Sequence, residues 1–402
     1  MFLIICLIFL FVTFITYYKT KDYNIAVFNC LLWFILTVLV CIFDLPNNEN
    51  AFVFVLLATV SFAFSYTMIK IKPVSKVNNN KAIKSKLSDD TQFKKINKYV
   101  VILNLINIVY LFNFLGFSFS TFTNISVLMT HMQHIAYMRY VDNAETLPLI
   151  SRLINVLVYA TCGYNGFFFA KTREKYCLMN LTGLLIQMAL LNTKSILVFG
   201  LAFFVGGVLT SLRYFHIKIR IADLCKGFSA IVLFIIVFVL INYFRHAAKY
   251  NLYVELQKIM ISYVVGPLSA FSIWYEYADE STLGLGANTF ACIFRLFGLA
   301  EQTHGEFIYI GDLTTNVYTI FKHLINDFSK VGAILIFGLL GLFSRFIDSK
   351  VDRRDNYYVG ISIVLFSLIS VAFFSSIFRF TVNVLACLII IFASFPVRLI
   401  LK

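Results

Sequence analysis

Charge is scarce in this chain: Asp, Glu, Lys and Arg make up 13% of 402 residues, and there are only five prolines. Hydrophobic residues fill 60% of the sequence, more than a water-soluble core of this size can hide, so the chain uses lipid as its solvent. The eight cysteines form no CxxC pair, and only Cys292 falls in a long polar segment; neither a disulfide framework nor a zinc site is suggested. The G-x-S-x-G elbow, HExxH, the P-loop and the Rossmann glycine fingerprint are absent in any fitting context, which removes the main support for nucleotide-driven and metalloprotease chemistry. No internal repeat and no Pro/Gly-rich linker interrupts residues 1–402, which read as a single membrane domain.

What is present is a succession of apolar runs close to the roughly 20 residues that cross a bilayer. They lie at 1–18, 24–43, 51–69, 99–116, 150–170, 176–192, 195–212, 227–244, 329–345, 357–376 and 380–397. The expected fold is therefore an all-α polytopic membrane protein with about eleven spanning helices. Lys19 and Lys21 follow the first run and no basic residue precedes it, the reverse of a cleavable signal peptide, so it is expected to stay as a helix with its N-terminus outside. That start puts the C-terminus in the cytoplasm. It also places 24 of the 34 Lys/Arg on the inner side with 8 of the 20 Asp/Glu, leaving 10 basic and 12 acidic residues outside. The charge of +14 is thus a topology signal. No soluble face interleaves basic and aromatic residues, so no nucleic-acid partner is expected. The basic loop 70–98 reads as an inner loop near anionic lipid.

Two outer excursions remain. In the first, 117–149, Ile125, Leu128, Met132, Ile135 and Met138 fall at helical spacing, as in a helix lying in the interface. His131 and His134 lie at i and i+3 there, without a third ligand, and no metal is assigned. The second, 245–328, is the longest polar interval on the outer side. A helix through Tyr253, Leu256, Ile259 and Tyr263 is expected to lead to a turn at Val265-Gly266-Pro267, and a glycine-spaced turn follows at 283–288. Thr314, Thr315 or Asn316 is placed to cap a helix beginning near Val317.

Handling a phosphorylated lipid requires cations at headgroup depth. The candidates are Lys194, in the tight outer turn 192–195, Arg245, where the eighth run emerges, and Arg295 and Lys322 in the long segment; for each the alternative is ordinary snorkelling to the interface. A base for a sugar hydroxyl would be a carboxylate or histidine. The segment offers Glu306, Asp312 and His323 among others, which sequence does not rank. Asn316 and Tyr318, just before the ninth run, could bond sugar hydroxyls or a phosphate.

Three stretches carry a family resemblance: NTKSILVFGLAFFVGG (192–207), SYVVGPLSAF (262–271) and TTNVYTIFKHLINDFSKVG (314–332). With the run layout and the dominant late outer loop, they resemble the Wzy-type polymerases of oligosaccharide repeat units, and more remotely the O-antigen ligases. Lys194-Ser195 is similar to the basic-plus-small pair of the mid-chain turn. Asn316, Tyr318, Asp327 and Gly332 are similar to the loop-closing motif. In the ligases a histidine precedes that asparagine; here it is Thr315, which favours the polymerases.

The resemblance implies a GT-C-like, metal-independent glycosyltransferase without a cofactor, in the inner (cytoplasmic) membrane of a bacterium with its site facing the periplasm. The growing chain would pass from undecaprenyl diphosphate to a new undecaprenyl-diphosphate-linked repeat unit. A chain-length-regulating co-polymerase is an implied partner. Lys194, Arg245, Arg295 and Lys322 would hold the diphosphate, while Tyr263, Asn316, Tyr318 and Asp327 would bind sugar or shape the site. A ligase and a lipid-linked oligosaccharide flippase are the competing readings. The flippase is disfavoured by the near absence of ionisable residues inside the runs.

Overall fold

The structure, a computed structural model, describes residues 2–20, 24–69, 87–118, 121, 123–140, 147–191, 193–217, 260–299, 307–311 and 313–401. Lipid offers backbone groups no hydrogen-bond partner, so the apolar runs must satisfy themselves as helices. They do so in α1 (Phe2–Thr20), α2 (Ile25–Ile42), α3 (Glu49–Met68), α4 (Leu87–Phe114), α6 (Leu149–Thr172), α7 (Met179–Leu191), α8 (Ser195–Tyr214), α11 (Ile320–Asp352), α12 (Val359–Val371) and α13 (Thr381–Leu401). Between them lie α5 (Ile125–Tyr140), α9 (Gly266–Glu276) and the short α10 (Ala291–Leu296). Among the described residues seven helices are long and apolar enough to cross a membrane, and three shorter apolar helices cover Lys175–Leu191, Asn356–Val371 and Thr381–Ser394. Each coincides with a run read from the sequence. The run 227–244 lies outside the described residues, as does 70–86 of the basic loop.

Two expectations need correction. Val265-Gly266-Pro267 is no turn: a π-helical stretch, Met260–Val265, feeds directly into α9. Pro267 sits in the first turn of that helix, where its missing N–H is no loss. The second excursion, expected as a large helical outer loop of short helices and turns, also contains strands. Ile308–Ile310 and Leu313–Thr315 form an antiparallel hairpin, β1 and β2, in which Ile310 pairs with Leu313. Its β-branched and aromatic residues favour strand, and Gly311 supplies the left-handed φ of +59° in the two-residue connection. The helix expected in the first excursion is found as α5. There the His131 ring bonds the Leu115 carbonyl at 2.8 Å and meets Phe117 edge-on, a packing role for that histidine.

The chain divides into two compact units, one of Met1–Asn79 with Met260–Arg398 and one of Asn80–Ile259 with Leu399–Lys402. In the first, aromatic rings gather around Phe321: Trp33 at 4.9 Å, Phe337 at 4.7 Å, Phe54 at 5.5 Å and Phe271 at 6.0 Å between centroids. Such pairs contribute about 0.5–1.5 kcal/mol each beyond burial. They pin the start of α11 between α2, α3 and α9.

In the second unit α4, α6 and α7 are joined by uncharged side chains. The Asn97 Oδ1 accepts from Asn165 at 3.0 Å and Asn180 at 2.9 Å, Asn104 accepts from Gln187 at 2.7 Å, and Asn107 accepts from Ser151 at 2.6 Å. All are buried, and such bonds tie helices together in lipid. Helices α6 and α8 approach closely enough that a Cβ at Gly166 would overlap the Phe204 carbonyl and one at Gly207 the Gly163 carbonyl. Gly207→Leu should therefore separate these helices and destabilise the protein by roughly 1–3 kcal/mol or more. Thermal unfolding in detergent should show a lowered midpoint for this variant; an unchanged midpoint would mean the close approach is dispensable.

Candidate functional site

In the first unit three segments converge at one end of the membrane helices: the glycine-spaced loop 283–290 with α10, the first two turns of α11, and the connection 372–380 between α12 and α13. Their junction is a carboxylate. Asp327 has no exposed surface, yet its Oδ1 accepts from the Asn288 N–H and side-chain amide, both at 2.9 Å. Its Oδ2 accepts from the Thr289 N–H at 2.6 Å. The Gly284 and Leu285 N–H groups donate to the carbonyls of Asn326 and Asp327. A Cβ at Gly284 would press on that same carboxylate, so the loop approaches α11 as closely as it does because glycine stands there. The third segment is tied in by Ser376, which donates to the Thr289 carbonyl at 3.0 Å, and by the Ile320 N–H, which donates to Ala372 at 2.7 Å.

Helix α11 is itself broken at Ser329, whose backbone is left-handed at φ 65°. The hydroxyl of Ser329 accepts from the Gly332 N–H at 3.3 Å and so caps the second part. Glu280 reinforces the cap from the loop, accepting from the Lys330 N–H and pairing with its ammonium, each at 3.3 Å. The first part, 320–328, therefore stands apart from the membrane-spanning part. It starts at Ile320 and not near Val317. Thr315 accepts from the Val317 N–H at 3.1 Å, closing a small turn, and Asn316 is left exposed.

On this first part, His323 and Asp327 are one helical turn apart on the same face. The His323 Nε2 lies 3.0 Å from Nη1 of Arg379. A guanidinium has only donors, so Nε2 must be the acceptor, and the imidazole is neutral with its proton on Nδ1. Arg379 in turn has its carbonyl bonded by Nη2 of Arg295 at 2.5 Å, while the Arg295 Nε bonds the Ala291 carbonyl at 3.1 Å. Burial and the neighbouring Arg295 guanidinium pull the Arg379 pKa down, and the Asp327 carboxylate acts in the opposite direction. Beside His323, the buried Lys322 ammonium sits 3.6 Å from the centre of the Tyr318 ring and 5.4 Å from that of Trp274. Arg379 thus links His323 to Arg295, with Lys322 next to His323 and the Asp327 carboxylate, its oxygens already engaged, one turn further along the helix. Among the described residues no group of His, Cys, Asp and Glu could hold a metal ion.

Of the residues singled out in the sequence, Arg295, Tyr318, Lys322, His323 and Asp327 come together here, and Asn316 lies on the exposed approach to α11. Tyr263 falls in the π-helical stretch before α9. Lys194 belongs to the second unit, where it is buried at the start of α8. Arg245, Glu306 and Asp312 lie outside the described residues. Arg379 was missed. The signal that marks Lys194, a lone basic residue in a short turn between apolar runs, is equally present in Ser376-Ile377-Phe378-Arg379, but the runs 357–376 and 380–397 lie almost end to end and leave little room for a turn.

The fold is that of an all-α, multi-pass membrane protein, and the site is a cationic cluster at one end of its helices. No family model, curated protein or solved structure matches the chain.

Asp327→Asn replaces one accepting oxygen by an amide donor that faces N–H groups, and hydrogen bonds to a charged partner contribute about 1.5–3 kcal/mol each. The variant should unfold at a lower temperature and be cut faster by protease within 283–289. Wild-type resistance in both assays would show that the carboxylate does not hold the loop.

Proposed function

We infer that this chain polymerises lipid-linked oligosaccharide repeat units at the periplasmic face of the bacterial inner membrane, as the resemblance of 192–207, 262–271 and 314–332 to the Wzy-type polymerases implies. The observation that carries this reading is the pair Lys322 and Arg379 beside a neutral His323, joined by Arg295 through the Arg379 carbonyl, at the end of membrane helices. Three cations less the Asp327 carboxylate leave two positive charges, matching the two negative charges of a sugar diphosphate diester. Arg379 offers a forked donor that suits phosphate oxygens, Arg295 offers N–H groups beyond those given to the Ala291 and Arg379 carbonyls, and Lys322 offers a point charge held between aromatic rings.

In the reaction, a hydroxyl of the incoming repeat unit attacks the anomeric carbon of the growing chain. The bond from that carbon to the diphosphate oxygen breaks, and the lipid diphosphate leaves with the electron pair. Preorganised cations stabilise the charge that develops on it. The acceptor proton passes to a base. His323 is suited to this through its own neighbour: once Arg379 turns to phosphate, the Nε2 lone pair is released. Glu306 and Asp312 remain alternative bases, and Lys194 and Arg245 are further candidates for the diphosphate. Trp274 and Tyr318 supply aromatic surface beside the cation, of the kind that packs on sugar rings. A chain-length-regulating co-polymerase is a natural partner.

Deletion of the gene should leave surface glycan capped with a single repeat unit in place of a ladder of long chains. Loss of all surface-attached repeats, with long polymer accumulating on its lipid carrier, would instead make the protein a ligase. Arg379→Ala and Lys322→Ala should each reduce chain extension at least about tenfold, the scale of one lost charge-assisted contact in a transition state, with normal amounts of protein in the membrane. Normal chain lengths in both would sink the diphosphate assignment.

A further inference from the structure

We propose that the corner formed by α10 and the glycine turn after it, residues 291–299, is seated in the lipid of the bilayer interface and forms a membrane-immersed wall beside the cationic cluster. The proposal does not depend on which reaction the cluster performs.

Helix α10 is inside out. Its only charged side chain, Arg295, turns toward the protein and bonds the carbonyls of Ala291 and Arg379. Cys292 is buried and donates to the Thr381 hydroxyl at 3.3 Å, and Phe290 packs on Phe378 at 5.5 Å. What remains on the outside is apolar: Ile293 is 39% exposed, Leu296 71%, Phe297 74% and Leu299 70%. Between Phe290 and Leu299 no other side chain has a polar group that could meet water except the Cys292 thiol, which is turned inward.

This exposure is built in. The Leu299 N–H returns to the Phe294 carbonyl at 2.9 Å and the Gly298 N–H to that of Arg295 at 3.1 Å. With Gly298 at φ +68°, this is the paired 6→1 and 5→2 closure that ends a helix in a fixed turn. Backbone bonds hold Phe297 and Leu299 outward.

Continuity with a lipid-facing surface identifies the occupant. Through Cys292 and Arg295, α10 rests on the 377–379 turn and on Thr381, the first residue of α13. The apolar helix α13 presents Leu385, Leu388 and Phe392 outward at helical spacing, with Phe380 exposed just before its start. The bare face of α10 thus sits at the end of a stripe that acyl chains must cover, and an apolar surface lacking a polar rim suits lipid. Arg295 then reaches the cluster from the membrane side, so a lipid-borne phosphate can meet it without leaving the bilayer.

The test places a nitroxide at F297C in the full chain, with Cys6, Cys41 and Cys225 replaced by alanine, reconstituted in vesicles of phosphatidylglycerol and phosphatidylethanolamine. Collisional access to oxygen is compared with access to a water-soluble nickel chelate, with labels at F392C and D279C as lipid and water references. The expected result is an oxygen-to-nickel ratio near that of F392C and several-fold above that of D279C. A ratio like that of D279C would put the corner in water and overturn the proposal. Low access to both reagents would mean protein covers it, a second copy of the chain for instance, and would overturn it equally. L299C is read in the same way, so failure of one variant to fold leaves the other decisive.

Discussion

A carboxylate with no exposed surface, Asp327, is the constraint on which this end of the molecule depends. Moving an unpaired charge out of water costs several kcal/mol, so the group persists only if donors converge on it. Those donors are the Asn288 and Thr289 N–H groups and the Asn288 amide, which a loop can bring to one point only by folding tightly. Satisfying one side chain therefore shapes the loop 283–290, and the loop in turn delivers α10 and Arg295. The Ser376 bond to the Thr289 carbonyl extends the same order to the turn carrying Arg379. Three stretches distant in sequence are thereby gathered about one negative charge.

Both units bury polar groups among their helices, as neutral pairs at some places and as charges at others. In one, α4, α6 and α7 are joined by amides and hydroxyls, among them Asn97, Asn165, Asn180, Asn104 and Gln187, which bond across helices without bringing net charge into the core. Neutral pairs of this kind fix register at small cost. In the other, the buried polar residues include Lys322, His323 and Asp327, and charges in such surroundings are expensive enough that they are kept for interactions a neutral group cannot make. The aromatic ring cluster about Phe321 holds the backbone that carries them. The second unit buries charge as well, at Lys194 and Arg213.

Much of the helical framework was legible because a bilayer imposes one length and one composition on whatever crosses it. Each described helix with that character falls on a run drawn from hydropathy alone, and α5 was readable from its spacing. The failures are local and have physical causes. Gly266-Pro267 has turn composition, yet a proline in the first turn of a helix costs nothing, so the same dipeptide serves a helix start. Ile308 to Thr315 is too short for periodicity to declare a strand. Hydroxyl and amide residues before Val317 predict a helix start there, but Thr315 uses its hydroxyl for a turn. Lys322, His323, Asp327 and Arg295 stand out by residue type, whereas their meeting with Arg379 depends on the Asp327 bonds across some forty residues of chain, which no local pattern announces.

The break at Ser329 has a consequence for depth. From Lys330 to Asp352 the second part of α11 runs about 34 Å at roughly 1.5 Å per residue, close to the ~30 Å thickness of the hydrocarbon layer. A helix of that length has little freedom to slide along the membrane normal. The left-handed serine therefore marks where the spanning part of α11 begins, and His323 and Lys322 both precede it, outside that span.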